Sequence, residues 1–408
     1  MEQVESVSVV KQANWLDKRC RNLVLGVFSK FTYGQLEVIE GNEHSCFPVS
    51  CSDVAVKAKI HIHDVSVYRD FVKGGSIGAA EAFIEGKWSS PNLTNVIRLL
   101  AKAQQQTDSI ESKKSWLNKF KNIITHWQNR NTQSGSKRNI LAHYDLGNEL
   151  YTRFLDPEMM YSSAIYPTET ASLNEAQQFK LDTICQRLSL TEEDHLLEIG
   201  TGWGGLAIHA ATHYGCKVTT TTISDAQFDY AKSRIDKLGL TEKITLLKKD
   251  YRELSGSYDK VVSIEMIEAV GYDFLPSFFK QCNDRLKEGG KLLIQSITIA
   301  DQRFTHYKNN VDFIQRYIFP GGFLPSINVL AQHLTEHSEL VIESLDDIGL
   351  DYAKTLSHWR DNFLESWSTI STLGYDETFK RLWLYYLAYC EGAFLERSTS
   401  TVHLVARK

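Results

Sequence analysis

The chain has 408 residues, 42% hydrophobic and 23% charged, with a formal net charge of −5. That composition is ordinary for a globular protein of two or three domains and carries no basic excess for nucleic acid. Seven cysteines, an odd number with no CxxC pair, argue against a disulfide framework or a zinc knuckle; a reducing compartment and no metal site are expected.

The first residues, MEQVESVSVVKQANWLDK, have no uninterrupted apolar core behind a basic start, so no signal peptide is expected. No run approaches the roughly 18 apolar residues of a spanning helix. A lipid substrate would have to be reached from the membrane surface.

Three zones follow in chain order. Residues 1–104 read as a small α+β domain: LEVIEG and VAVKAKIHIHDVSVYRDF alternate like strands, GSIGAAEAFIEGKWSS reads as a short helix ending in a glycine turn, and NLTNVIRLLAKAQQQ as a helix. Residues 105–138 form a polar-edged linker around KSWLNKFKNIITHW. Here Trp116, Leu117, Phe120, Ile123, Ile124 and Trp127 fall on one helical face, with Lys113, Lys114, Lys119 and Lys121 on the more polar sides. Such a helix either lies in a membrane interface or packs on the protein's own domains. Residues 139–408 alternate apolar strands (HLLEIG, CKVTTTTIS, KITLLKK, YDKVVSIEMI, KLLIQSIT) with helices, the pattern of a mostly parallel sheet covered on both faces.

The sharpest signal is LLEIGTGWGGLAIHAA, residues 196–211. A strand ends at Glu198, a turn carries Gly200, Gly202, Gly204 and Gly205, and a helix begins near Leu206. Glycines let backbone approach a ligand closely, and the helix N-terminus favours an anion. GxGxGG after an acidic strand end fits the carboxylate of S-adenosylmethionine better than the pyrophosphate of a dinucleotide. Farther on, Thr222, Ser224 and Gln227 in VTTTTISDAQ are candidates for ribose or methionine contacts, although β-branched residues suit a strand regardless. Asp250 is placed to face the adenine amine. Glu265 and Glu268 in IEMIEAVG stand at the carboxyl edge, where such sheets bind ligands.

With these residues in view, the third zone resembles the cyclopropane fatty acid synthases, including the mycolic acid cyclopropane synthases. The matching strings are HYDLGNELYTRFLDPEMMYSSAIYP, LEIGTGWGGLA, TTTTISDAQ, KDYREL, MIEAVG, RYIFPGGFLPS, LDYAKTLSHWRDNF and RLWLYYLAYCEGAF, in order. GGSIGAAEAFIEGKW resembles part of the smaller lipid-contacting domain of the phospholipid-modifying members. The resemblance implies a Rossmann-like class I methyltransferase domain with a helical lid, plus a small N-terminal α+β lipid-contacting domain.

It also implies a reaction: transfer of the S-adenosylmethionine methyl to the double bond of an unsaturated phospholipid acyl chain. A bound bicarbonate would then remove a proton so that a cyclopropane ring closes. By the same resemblance, Tyr161, Ser162, Gly200, Gly202, Thr222 and Gln227 contact the cofactor, joined by Glu198, Ser224 and Asp250 from the residue pattern. Tyr144 and Asn148 belong to the lid. The bicarbonate nest would comprise Glu268, Tyr352, Ser163 and Gln295, the last two standing where the family has cysteine and histidine. Ala269 replaces the histidine of the family's E-H-V-G. Cys390 matches a cysteine described as an active-site residue and reads here as tunnel lining or as a buried small residue. Because glutamine does not titrate, a methyl- or methylene-branched product without ring closure is the alternative outcome, and a non-catalytic lipid-binding protein the second. Membrane phospholipids, a homodimer, and a cytoplasmic location peripheral to the inner face of the membrane complete the expectation.

Overall fold

The computed structural model describes residues 14–48, 56–111 and 146–408. The amphipathic segment 113–127 and Tyr144 lie outside them. The chain forms two compact units: Met1–Trp116 with Ser368–Glu396, and Leu117–Trp367 with Arg397–Lys408. Ser368–Glu396, which the strand–helix pattern assigns to the third zone, therefore groups with the N-terminal unit.

In the first unit, α1 (Trp15–Phe28) starts at a reciprocal cap. Asn14 Oδ1 accepts the Asp17 N–H at 2.9 Å, and the Asp17 carboxylate accepts the Asn14 N–H at 3.1 Å. Strands β1 (Gln35–Glu40), β2 (Glu43–Phe47), β3 (Lys57–Ile62) and β4 (Trp88–Ser89) form a sheet ordered β2-β1-β3-β4. The expected strand through VSVYRDF is instead the start of helix α2 (Val67–Ile84). Asp64 explains the change: its carboxylate accepts the Ser66 N–H at 2.8 Å, a side-chain turn that ends the strand and leads into the helix. Against α2 and α3 (Leu93–Glu111) packs the C-terminal helix Glu377–Leu395, with the Phe83 and Tyr385 rings 5.6 Å apart and the Thr94 hydroxyl donating to Glu391 at 2.7 Å.

The second unit is built on seven strands: β5 (His195–Ile199), β6 (Lys217–Thr221), β7 (Ile244–Leu247), β8 (Tyr258–Ile264), β9 (Leu286–Ile299), β10 (Val341–Asp347) and β11 (Thr399–Arg407). They are ordered β10-β11-β9-β8-β5-β6-β7. Strands β5 to β9 run parallel, and β11 joins antiparallel to both β9 and β10. Successive side chains enter opposite layers, as a pleat requires. Leu197, Val261, Leu292 and Ile294 belong to one core, while Leu196, Val262 and Leu293 belong to the other. Burial on both faces explains why these strands read as continuous apolar runs. This is the expected doubly wound α/β sheet. The antiparallel β10–β11 pair is an addition that the sequence reading lacks. Among the described residues, no helix is long and apolar enough to cross a membrane.

Candidate active site

The glycine turn sits at the carboxyl end of β5, leading into α5 (Gly205–His213, with α4 being Leu173–Arg187). Gly200 and Thr201 donate their N–H groups to Thr221 O at 3.1 and 2.9 Å, which ties the turn to β6. Gly202 has φ +53°, and among the described residues nothing lies within 4 Å of where its Cβ would be. This side-chain-free hollow at a helix start fits the methionine carboxylate of S-adenosylmethionine.

Around it, several expected contacts are engaged with one another. The Thr222 hydroxyl donates to Gln227 Oε1 at 2.9 Å, and Ser224 caps α6 (Asp225–Lys237) by accepting the Gln227 N–H at 3.3 Å. Glu198 is buried inside the sheet, where it accepts the Thr220 hydroxyl at 2.5 Å, and burial pushes its carboxyl up to about 8. Asp250 does not stand free for an adenine amine. Its two oxygens take Arg252 Nε at 2.8 Å and Nη2 at 2.6 Å, a forked ion pair.

The second half of the site gathers around Glu265, just past β8. Its Oε1 accepts the Ser163 N–H at 2.9 Å and Gln295 Nε2 at 2.7 Å, and its Oε2 accepts the Tyr352 hydroxyl at 2.8 Å. The Glu265 backbone has φ +46°, a left-handed conformation that costs a residue with a β-carbon about 1–3 kcal/mol and clusters at functional sites. Burial pushes its carboxyl up, while the three donors and the nearby Lys180 ammonium pull it down; the net direction is upward.

Gln295 is oriented from behind. It pairs across β9–β11 with His403, whose Nε2 lies 2.8 Å from Gln295 Oε1. Burial depresses His403 to about 3, so the imidazole is neutral and its Nε2–H donates to the amide oxygen. The Gln295 N–H groups are thereby aimed at Glu265 and at Ser163 O, the latter 3.2 Å away.

Glu268 lies on the next turn. Its Oε1 accepts the Ile297 N–H at 2.5 Å and the Ser296 hydroxyl at 3.1 Å, while its buried Oε2 has no hydrogen-bond partner among the described residues. Burial first, then the adjacent Glu265 charge, push this carboxyl up to about 8. Two buried carboxyls this close resist ionising together, so charge on Glu265 raises Glu268 further.

Aromatic rings close the space beside these carboxylates. Tyr161 packs against Tyr151 at 5.3 Å and Trp359 at 5.2 Å, and Tyr352 meets Trp359 edge-on at 6.0 Å. Ring faces stabilise a passing cation, and an apolar wall excludes water that would quench it. Ser162 is buried behind Tyr161, where its Oγ accepts Lys180 Nζ at 2.8 Å and its carbonyl accepts Gln177 Nε2 at 3.0 Å.

Comparison with known proteins decides what this arrangement belongs to: residues 130–404 match the family described as mycolic acid cyclopropane synthetase. The chain belongs to that family. It is 36% identical over 342 residues to a tuberculostearic acid methyltransferase of Mycobacterium tuberculosis, covering 82% of this chain and 79% of the relative. It is 35% identical over 343 residues to the cyclopropane-fatty-acyl-phospholipid synthase of Escherichia coli strain K12, covering 83% and 85%. A solved mycolic acid cyclopropane synthase with SAH and CTAB bound superposes with TM-score 0.63 at 26% identity, over 67% of this chain and 98% of the other. Like its family, this chain is an S-adenosylmethionine-dependent methyltransferase acting on lipid acyl chains.

Three of the four residues expected to form the nest gather around Glu265. The donors assigned to bicarbonate, namely Ser163 N–H, Gln295 and Tyr352, all point at the Glu265 carboxylate. The Glu265 carboxylate thus takes hydrogen bonds that the resemblance assigned to a bound anion. Glu268, the fourth expected member, stands next to this cluster with its Oε1 on Ile297 and Ser296. Cys390 belongs to the N-terminal unit, half-buried on the helix Glu377–Leu395, and is not among the residues gathered here. Asn148 accepts Trp203 Nε1 at 2.8 Å, linking the HYDLGN string to the glycine turn. Sequence reasoning placed Glu265 at the right edge but assigned it no role. It missed Lys180, Trp359 and His403 altogether; the only signal for Lys180 was a charged residue amid the buried positions of an amphipathic helix.

Proposed function

We propose that the enzyme methylates the double bond of an unsaturated phospholipid acyl chain and discharges the resulting cation onto Glu265. The observation that carries this reading is the Glu265 carboxylate fixed by three donors in the nest where a diffusible base was expected. When bound, S-adenosylmethionine supplies an electrophilic methyl group. The alkene would take this methyl as the C–S bond breaks and S-adenosylhomocysteine leaves, with the positive charge then on the neighbouring chain carbon; Tyr161, Trp359 and Tyr352 are the rings that would stabilise it. Loss of a proton from the new methyl to Glu265 gives a cyclopropane if it precedes any rearrangement. If a hydride first migrates to the cationic carbon, the same proton loss gives a methylene branch.

A base held in place by three hydrogen bonds takes the methyl proton slowly, which lets the hydride shift come first and favours the branched product. Similarity to a phospholipid-modifying relative over 83% of the chain supports a phospholipid substrate. So does the outer face of α1, where Trp15, Leu23 and Val27 are 69%, 62% and 51% exposed. Lys18, Arg19 and Lys30 flank that face, and its one acid, Asp17, is buried. Such a face suits an anionic bilayer surface.

The test uses methyl-labelled S-adenosylmethionine with vesicles of unsaturated phospholipid, with and without bicarbonate. Wild type should transfer label at a rate independent of bicarbonate, and proton NMR should show vinylidene rather than upfield cyclopropane signals. Glu265→Ala opens the nest; it should lose most activity and regain part of it when bicarbonate is added. Bicarbonate dependence of the wild type would sink the assignment of Glu265, and absence of any label transfer would support a lipid-binding protein without catalysis.

A further inference from the structure

Away from the site, α8 (Ile327–His337; α7 is Leu275–Arg285 and α9 is Gly349–Glu365) carries His333, Glu336 and His337 near its C-terminal end. Two histidines four residues apart stand one above the other on a helix face, and a residue at i+3 joins the same face. The side chains converge: one donor atom from each of the three lies within 4.8 Å of the other two. The imidazole rings are 5.6 Å apart and tilted only 22°, and His337 Nε2 is 3.8 Å from Glu336 Oε2.

His333 is the fixed member of the group. It is 8% exposed, packs edge-on against Tyr272 at 5.6 Å, and its buried Nδ1 has no hydrogen-bond partner among the described residues. A buried polar nitrogen left unpaired is unusual and calls for a partner. Glu336 is exposed and His337 half-buried, so both can swing by χ rotation to close the span to bonding distance. They also line a solvent-open hollow with Asp284 and Glu339, which gives a cation an entry path.

We propose that His333, Glu336 and His337 form a binding site for a divalent transition-metal ion. Two imidazoles and one carboxylate are the donor set of Zn2+ and its neighbours Ni2+ and Cu2+, not of Mg2+ or Ca2+, which take oxygen ligands. With three protein ligands on one helix, water completes the coordination. The ion stitches the last turn of α8 to the turn before it and stabilises the folded chain by mass action. None of the three residues contributes to the carboxylate nest, so the site stands or falls independently of the methyl-transfer reading.

The experiment uses the untagged full-length protein, stripped with chelator and titrated with Zn2+ by calorimetry and with Co2+ by visible absorption. One ion per chain is expected, with d–d bands of nitrogen and oxygen ligation and a rise in Tm on adding Zn2+. His337→Ala removes a ligand at a half-exposed position without disturbing the core and should weaken binding at least about tenfold; Glu336→Gln should weaken it less, and His333→Asn should abolish it. Cys46→Ser, which changes an exposed thiol outside the site, should leave binding unaltered. No stoichiometric binding, or binding that survives His337→Ala or depends on Cys46, would overturn the proposal.

Discussion

Lys180 is fully buried, and its ammonium donates to Ser162 Oγ at 2.8 Å. A buried cation is costly unless charge nearby compensates it. Here burial depresses Lys180 to about 8, while the Glu265 and Asp156 carboxylates hold it up. The coupling is mutual: the Lys180 charge favours the ionised form of Glu265, the form a base must have. Lys180→Met keeps much of the side-chain volume and removes the charge. The Glu265 carboxyl should then rise, and the acid limb of the pH–rate profile should move upward, as loss of a nearby opposite charge implies. Single-turnover rates between pH 5 and 9, compared with a melting curve, separate this from misfolding; an unmoved acid limb would show that Lys180 only packs. No pattern of spacing announces such a residue. Glu268, Tyr352 and Gln295 were legible because they sit in recognisable strings, whereas the role of Glu265 depends on a +46° φ and on three donors from distant parts of the chain.

Between strands, the same balance of burial and charge acts on stability. Glu198 on β5 accepts from Thr220 on β6 at 2.5 Å, and its carboxyl is raised to about 8. A raised acid binds its proton more tightly in the folded chain than in the unfolded one. Its contribution is therefore complete below the unfolded value near 4.5 and is lost as pH rises toward about 8. The limiting slope is about 1.4 kcal/mol per pH unit for one such group. Glu198→Gln keeps the shape without the proton, so its Tm should fall less than that of wild type between pH 5 and 8. Parallel curves for the two proteins would place the ionisation elsewhere. The parallel strands were legible because burial on both faces leaves an apolar run. Strands β10 and β11 were not: every residue of β10 is at least partly exposed, and β11 follows from far along the chain. Its arrival beside β9 is what brings His403 to Gln295.

At the scale of the whole molecule, the order of the chain and the order of its units differ. The helix Glu377–Leu395 is separated in sequence from α2 and α3, yet it belongs to their unit. Trp383, Tyr385, Leu387 and Phe394 are all buried. Arg98 Nε donates to Glu396 at 2.6 Å, at the C-terminal end of that helix. Zoning by sequence cuts there because a helix after a strand–helix series looks like one more layer of the same sheet; amphipathicity tells that a helix packs, not on which partner. The grouping has a consequence for truncation. A fragment of residues 1–116 would expose the apolar surface of α2 and α3 that this helix covers, including Phe83 and Ile97. Leaving that apolar surface in water lowers the fragment's stability. Such a fragment should show little cooperative unfolding by circular dichroism and bind a hydrophobic dye. Fusing residues 368–396 to it through a flexible Gly/Ser linker should restore a sigmoidal melt and reduce dye binding. A cooperative melt of the 1–116 fragment alone would mean that the helix rests on a domain already complete. Recovery only when the linked helix keeps Tyr385 and Glu391 would tie the effect to the Phe83 and Thr94 contacts rather than to added length.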